Sequence, residues 1–244
     1  MTPITLSSFA IIAFAACIHA SFQLSVSVLT LLSGHAIGRN TAHKKVLQRM
    51  NGFIIGVFVI TTLAISTLSY YLNLLVDHAD SAERLVAAIG CGIMTGLGVA
   101  TWAFYYRRSN GTALWLPRGF ATYLARRTKR TKCASEAFGL GMTSVIAEII
   151  FIIGPMIAAG LAIITLPNTA LQLIGIGSYL VISILPLMLL LMLVGGGRSI
   201  ASLQHWRETH KRFLQFASGG SLLILAGFVF VDRVLGITNY GGLW

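Results

Sequence analysis

Residues 134 to 166 read ASEAFGLGMTSVIAEIIFIIGPMIAAGLAIITL, an apolar run that contains only two charged side chains, Glu136 and Glu148. A helix of this length extends roughly 50 Å, at about 1.5 Å per residue. The hydrocarbon core of a bilayer is about 30 Å thick. The run therefore predicts a membrane-spanning helix, and its excess length predicts that the helix is tilted or locally broken.

The composition of the whole chain agrees with this prediction. The 244 residues are 56% hydrophobic and 10% charged, with a mean hydropathy of +0.81. Because soluble domains carry about 25% charged residues, an ordinary water-soluble protein is excluded. The three cysteines are odd in number and form no CxxC pair, which also excludes a secreted disulfide scaffold. We expect a single membrane domain over residues 1–244.

Five other apolar runs are long enough to cross a bilayer. The six runs, in chain order, are 6–33, 52–75, 85–106, 134–166, 171–194 and 217–237. They predict an all-α, polytopic integral membrane protein with six transmembrane helices. Gly154 and Pro155 predict a break in the fourth helix and Pro186 one in the fifth, because proline removes a ladder hydrogen bond. The first run lacks the features of a removable signal peptide, so we expect it to be a mature span.

Lysine and arginine are distributed unevenly between the connecting loops. Loops 34–51, 107–133 and 195–216 hold four, eight and four of them, which is 16 of the 18 in the chain. The positive-inside rule places these loops in the cytoplasm and both termini outside. We expect the cytoplasmic membrane of a prokaryote as the location.

The basic loops also bear on partners. In a chain with this topology we interpret them as orientation signals that contact anionic lipid headgroups, and we expect no nucleic acid. If the protein has a protein partner, loops 107–133 and 195–216 are the predicted docking surface, because both combine basic residues with apolar ones at helical spacing.

The six runs divide into two groups of three, a first repeat over about 6–106 and a second over about 134–237. Because three is odd, two such halves have opposite orientations in the membrane. An offset of 125 residues aligns His19 with Ser144 and Gln23 with Glu148. We predict an inverted repeat, although any six-span chain can be divided in this way.

Glu148 is the main candidate for a functional residue. It lies near the middle of the fourth run, where an ionised carboxylate costs several kcal/mol unless it is paired, protonated or hydrated. One interpretation is a proton or cation site. The other is a protonated or hydrogen-bonded tie between helices.

The first run carries a polar stripe. His19, Gln23, Ser27 and Thr30 recur at the spacing of one helix face, and Ser144 lies on the fourth run one turn before Glu148. Such a stripe lines a cavity or packs against other polar groups, because it cannot face lipid cheaply. We therefore predict a substrate or ion site formed by Glu148, His19, Gln23, Ser27 and Ser144.

Catalytic and cofactor motifs are missing from the sequence. It has no HExxH, nucleophile elbow, Walker loop or dinucleotide turn, and no set of metal ligands at the usual spacing. We expect neither an enzyme nor a bound cofactor or metal.

Two smaller patterns concern packing. Asp232 and Arg233 lie near the outer end of the last run and are predicted to be an interface pair in reach of water. Three pairs of glycines fit the GxxxG spacing of close helix contacts: Gly34 and Gly38, Gly52 and Gly56, and Gly92 and Gly96.

In topology the chain resembles the superfamily of lysine exporters, manganese and cadmium exporters and disulfide-transferring membrane domains (LysE/DsbD-like). The resemblance rests on six spans, outer termini, and long first and fourth helices with polar or proline-bearing breaks. It implies two inverted repeats. In the ion-exporting branches these helices carry acidic residues, which implies a coupling or binding role for Glu148. The thiol-transferring branch has a Pro-Cys pair in each of these helices, whereas this chain has Phe22-Gln23-Leu24 and Ala147-Glu148 there.

Three functions are open at this point. The first is a secondary transporter that exports a small cation or amine by proton-coupled alternating access. The second is a membrane assembly subunit that transports nothing. The third is a thiol-disulfide electron carrier that depends on Cys17 and Cys133.

Overall fold

The computed structural model describes residues 3–22, 28, 32, 40–78, 82–105, 123–124, 126–128, 130–196 and 209–235. Over these ranges the chain is helical and contains no β-strand. The helices are α1 (Pro3–Ser21), α2 (Asn40–His78), α3 (Ala82–Ala100), α4 (Ala134–Ile164), α5 (Thr169–Gly195) and α6 (Lys211–Val229). Short π-helical segments extend α3 over Thr101–Tyr105 and α6 over Phe230–Val234.

Five of the helices are long and apolar enough to cross a membrane. Their apolar segments are Lys44–Asp77, Ala82–Ala103, Ala134–Ile164, Thr169–Gly195 and Phe216–Val234. The apolar part of α1, Thr5–Ser21, is shorter, and most of the remainder of the predicted first span lies outside the described residues. The structure thus confirms the helical fold class over the described residues, with five helices that are long and apolar enough to span a membrane.

Helix α4 is the central helix. In its most apolar window 67% of the residues are buried, against 33–39% in the other four long helices. It contacts α1, α2, α3 and α5. The helix with the longest apolar run in the sequence is therefore the one that the other helices cover most extensively.

Helix directions follow from residues that pack together. Phe22 of α1 stacks on Phe151 of α4 while Ser8 lies 3.2 Å from Thr165, so α1 and α4 are antiparallel. Gly56 packs against Phe138 near the start of α4 and Leu72 against Gly160 near its end, so α2 and α4 are parallel. These directions bring the starts of α2 and α4, with Lys44, Lys45 and Lys132, to one end of the bundle, which we call the basic end.

The helix breaks predicted at Gly154, Pro155 and Pro186 are not interruptions of the helices. α4 continues through Pro155 and α5 through Pro186. A proline removes only one ladder hydrogen bond, and packing on neighbouring helices keeps the rest of the helix in place. Gly154 has a packing role, because a β-carbon there would come within 2.6 Å of Met94 Cγ on α3.

Glycines hold α2 close to α4. A β-carbon at Gly52 would collide with the carbonyl oxygen of Ala134, and one at Gly56 with that of Phe138. Gly141 of α4 faces the backbone of Phe53 in the same way. This GxxxG pair marks a close helix contact, as predicted. Around Gly92 and Gly96, by contrast, no described residue lies within 4 Å of an added β-carbon, and Gly34 and Gly38 lie outside the described residues.

We expect Gly56→Ala to destabilise the protein by about 1–3 kcal/mol, because overpacking a tight contact forces the backbones apart. The same change at Gly96 is the matched control and should be neutral or slightly stabilising, since alanine has the higher helix propensity. Equilibrium unfolding of the two variants in mild detergent measures the difference. Equal stability of the two variants would contradict the close α2–α4 contact.

Candidate functional site

Glu148 lies in the interior of the bundle. It is 1% exposed and stands 14 residues after the start of α4, roughly 21 Å along the helix axis. Gly141, seven residues earlier and thus on nearly the same helix face, packs against Phe53 and Val57 of α2. The carboxyl group therefore leaves α4 on a side covered by other helices and not on a lipid-facing side.

His19 is also buried, and its partner is Tyr179 of α5. The Nδ1 atom of His19 lies 2.8 Å from the Tyr179 hydroxyl oxygen, and both side chains are at most 1% exposed. Sequence analysis missed Tyr179. The available signal was its position, the eleventh residue of the 27-residue helix α5, because a tyrosine that far from either end needs a hydrogen-bond partner for its hydroxyl.

Two further serines are buried, one on α4 and one on α5. Ser144 donates to the carbonyl oxygen of Gly141 at 2.7 Å, and Ser183 of α5 donates to that of Leu180 at 3.0 Å. Both residues are fully buried. Ser144 was a predicted site residue, whereas Ser183, one turn beyond Tyr179, was not.

The helix register separates His19 from Glu148. Phe22 stacks on Phe151, and α1 and α4 run in opposite directions. His19 is three residues before Phe22 and Glu148 three residues before Phe151, so the two lie roughly 9 Å apart along the bundle axis. Of the predicted site residues, Ser144 and Glu148 are buried about one helix turn apart on α4, and His19 is buried at a different level, which means a different position along the bundle axis. Gln23 and Ser27 lie outside the described residues.

A second polar cluster lies at the end of the bundle opposite the basic end. Arg233 donates to Glu83 Oε1 at 3.0 Å and to Thr165 Oγ1 at 2.9 Å, and its Nε lies 2.9 Å from Asp232 Oδ2. Thr165 in turn lies 3.2 Å from Ser8 Oγ. One guanidinium group therefore links the end of α6 to α3 and to the α4–α5 turn, and through that turn to α1.

Asp232 and Arg233 form the predicted pair, but they are less open to water than predicted. Their side chains are each only 9% exposed. The α-helix changes to a π-helix at Phe230–Val234, where both residues lie, and the guanidinium points into the bundle toward Glu83 and Thr165. The guanidinium group of arginine holds five N–H donors in a fixed planar arrangement, which suits a buried site with several oxygen acceptors.

At the basic end, the side chain of Arg49 ties α2 to the start of α4 by donating to the carbonyl oxygen of Lys132 at 2.9 Å. Glu136 accepts a hydrogen bond from the Lys132 backbone amide at 2.7 Å. Cys133, the residue before α4, is exposed, and its hydrogen bond with the Ser135 hydroxyl lowers the pKa of its thiol below the usual value.

The three cysteines are free and lie apart. Cys17 is exposed on α1, while Cys91 is buried on α3 and donates to the carbonyl oxygen of Ala226 at 3.3 Å. Across the described part of the chain, no three histidine, cysteine, aspartate or glutamate side chains come together as a metal site.

No known family model, curated protein or solved structure matches the chain. The resemblance to the LysE/DsbD-like superfamily therefore stays a prediction from topology. What the chain does must be argued from its buried polar groups.

Proposed function

We propose that the protein is a secondary transporter of the cytoplasmic membrane that exports a small cation or amine in exchange for protons, by alternating access. The observation that carries the proposal is Glu148, a carboxyl group 1% exposed in the middle of the most buried membrane-spanning helix. A carboxylate at that depth is costly, and such residues typically mark ion or proton pathways.

The chemistry of a buried carboxyl group suits exchange. Ionised Glu148 attracts a cation, and the cation neutralises the charge that would otherwise be buried. Protonated Glu148 is neutral and does not attract the cation. A monovalent cation and a proton therefore compete for one group, and each step of the cycle leaves the site neutral.

Six spans in two inverted repeats, residues 6–106 and 134–237, would supply the two halves that alternate. The helix contacts support this arrangement. α1 contacts α4, α2 contacts α5 and α3 contacts α6, and the contact of α1 with α5 has its counterpart in that of α4 with α2. A two-fold axis that exchanges the halves pairs helices in this way. Gly154, Pro155 and Pro186 are the proposed points of bending during the exchange.

The cluster around Arg233 fits a state that is closed at one end. The cluster joins α1, α3, the α4–α5 turn and α6, so access to Glu148 from that end requires the Arg233 contacts to open. We assign this end to the outside and the basic end to the cytoplasm, where anionic headgroups attract lysine and arginine.

Labelling of Cys133 tests the orientation. With Cys17 and Cys91 replaced by alanine, a membrane-impermeant maleimide should modify Cys133 in inside-out vesicles and not in right-side-out vesicles. The lowered pKa of this thiol increases the thiolate fraction at neutral pH, so the reaction should be faster than with an unstructured cysteine peptide. Modification in right-side-out vesicles only would reverse the assigned orientation.

Proteoliposomes test the transport activity itself. The purified protein is reconstituted with a pH-sensitive dye inside, and sodium, potassium, methylammonium and diamine gradients are applied one at a time. We expect one class of cation to move protons in the opposite direction. If no cation caused proton movement and another chain co-purified in mild detergent, the protein would instead be an assembly subunit. Its docking surface would then be loops 107–133 and 195–216.

A further inference from the structure

Helix α2 buries the hydroxyl groups of Thr61 and Ser69. Thr61 is 1% exposed and Ser69 is 6% exposed, and neither hydroxyl oxygen has a hydrogen-bond partner among the residues that the structure describes. The neighbouring Thr62 behaves as threonines in membrane helices usually do, donating to the carbonyl oxygen of Phe58 at 2.7 Å. An unpaired buried hydroxyl is costly, so a residue of this kind requires an explanation.

The α2–α4 contact sets the level of Thr61 in the bundle. Gly141 packs against Phe53 and Val57. Glu148 lies seven residues beyond Gly141, roughly 10 Å along the axis, while Thr61 lies four to eight residues beyond the two α2 residues, roughly 6–12 Å. Because α2 and α4 are parallel, Thr61 and Glu148 lie at the same level.

The α2–α5 contact relates Thr61 to Ser183 in the same way. Leu47 of α2 packs against Gly195 of α5. α5 is parallel to α1, because Ile12 packs against Gly175 and His19 contacts Tyr179, and it therefore runs opposite to α4 and α2. Thr61 is 14 residues after Leu47 and Ser183 is 12 residues before Gly195, so their levels differ by roughly 3 Å. The buried side chains of Thr61, Glu148 and Ser183 therefore come from three helices that enclose the same level of the bundle.

We infer that the Thr61 hydroxyl is a ligand of the Glu148 site, with Ser183 beside it, and that the site takes a cation that prefers oxygen ligands: a hard monovalent ion or a primary ammonium group. The inference rests on the proposed function. A bound cation with Thr61 Oγ1 as one of its ligands would use lone pairs for which the described residues supply no donor.

The donor atoms at this level explain the preference. A carboxylate and hydroxyl groups suit hard cations, whereas softer metals select thiolate and imidazole ligands. His19 lies at a different level and its Nδ1 is engaged by Tyr179. Cys91 follows Gly90, which packs against Ile157, nine residues beyond Glu148, and its thiol bonds to Ala226 of α6, so the donors that we assign to this level are oxygens.

Three variants test the inference in the same proteoliposomes, with sodium and methylammonium as probes. Thr61→Val removes the hydroxyl without changing the side-chain volume. We expect it to raise the cation concentration that half-saturates transport about tenfold, which corresponds to a loss of about 1.4 kcal/mol of binding free energy. Thr61→Ser keeps the hydroxyl and should retain wild-type affinity. Ser69→Ala removes an equally unpaired hydroxyl two turns away, and should leave the affinity within twofold.

The melting temperature of the unliganded protein is the second measurement. Because the Thr61 hydroxyl has no partner among the described residues, Thr61→Val should melt at the same or a higher temperature, so weaker binding cannot be ascribed to misfolding. Wild-type affinity in Thr61→Val would overturn the inference and leave the transporter proposal standing. No response of the wild-type protein to any probe would overturn both.

Discussion

Replacing Arg233 with methionine should lower the free energy of unfolding by about 3–5 kcal/mol, the usual cost of removing one partner from a buried charge pair. The loss comes mainly from Asp232, whose side chain is 9% exposed and would keep a negative charge without the guanidinium. Glu83 is 34% exposed and contributes less, because solvent screens it. Thr165 would also lose a donor at 2.9 Å.

The control for this change is Arg84→Met. Arg84 is exposed on α3 next to Glu83, so its replacement alters the net charge equally and should cost less than about 0.5 kcal/mol. A double variant with Asp232→Asn should recover part of the Arg233→Met loss, because the unpaired charge is then removed. Unfolding curves in mild detergent report all three. An Arg233→Met protein as stable as wild type would show that the cluster does not hold this end of the bundle together.

Glu148→Gln should abolish proton-coupled exchange and reduce cation affinity at least about a hundredfold, since truncating a buried charge partner costs about 2–5 kcal/mol. The amide has nearly the same shape and no charge, so we expect the variant to fold and to melt at or above the wild-type temperature. Glutamine cannot release a proton, and this removes the coupling even if residual cation binding persists.

Glu148→Asp is the matched variant because it keeps an ionisable group. It should retain coupled exchange at lower affinity, since its carboxyl group is one methylene closer to the α4 backbone. If Glu148→Gln transported with wild-type coupling, the carboxyl group would be a structural tie between helices and the transport site would lie elsewhere.

Hydropathy predicted the positions of the membrane-spanning helices better than the lengths of the helices. The predicted run 134–166 corresponds to Ala134–Ile164 and 171–194 to Thr169–Gly195. The second run was predicted to start at residue 52, yet α2 begins at Asn40. The difference has a physical cause, because hydropathy reports where the membrane is, while a helix continues into water as long as its residues favour helical structure.

The sequence could show that some polar side chains are buried but not which side chains they contact. Burial of His19, Ser144 and Glu148 follows from the cost of polar groups in lipid, which is a local property. The partner of His19 is 160 residues away, and the contacts of Arg233 span 150 residues to Glu83 and 68 to Thr165. Contacts at that separation depend on how the helices pack, and the level of Thr61 relative to Glu148 became visible only from the α2–α4 and α2–α5 contacts.

Difference infrared spectroscopy of the Glu148 carboxyl group tests the transporter proposal most directly. The protein is measured in nanodiscs over a range of pH, with Glu148→Gln as the blank and with sodium and methylammonium added in turn. We predict a protonated carboxyl band that decreases as the pH rises and that one class of cation diminishes at constant pH, as the cation replaces the proton. A band that stays unchanged over the whole pH range and with every cation would contradict the account and identify Glu148 as a sealed tie between helices.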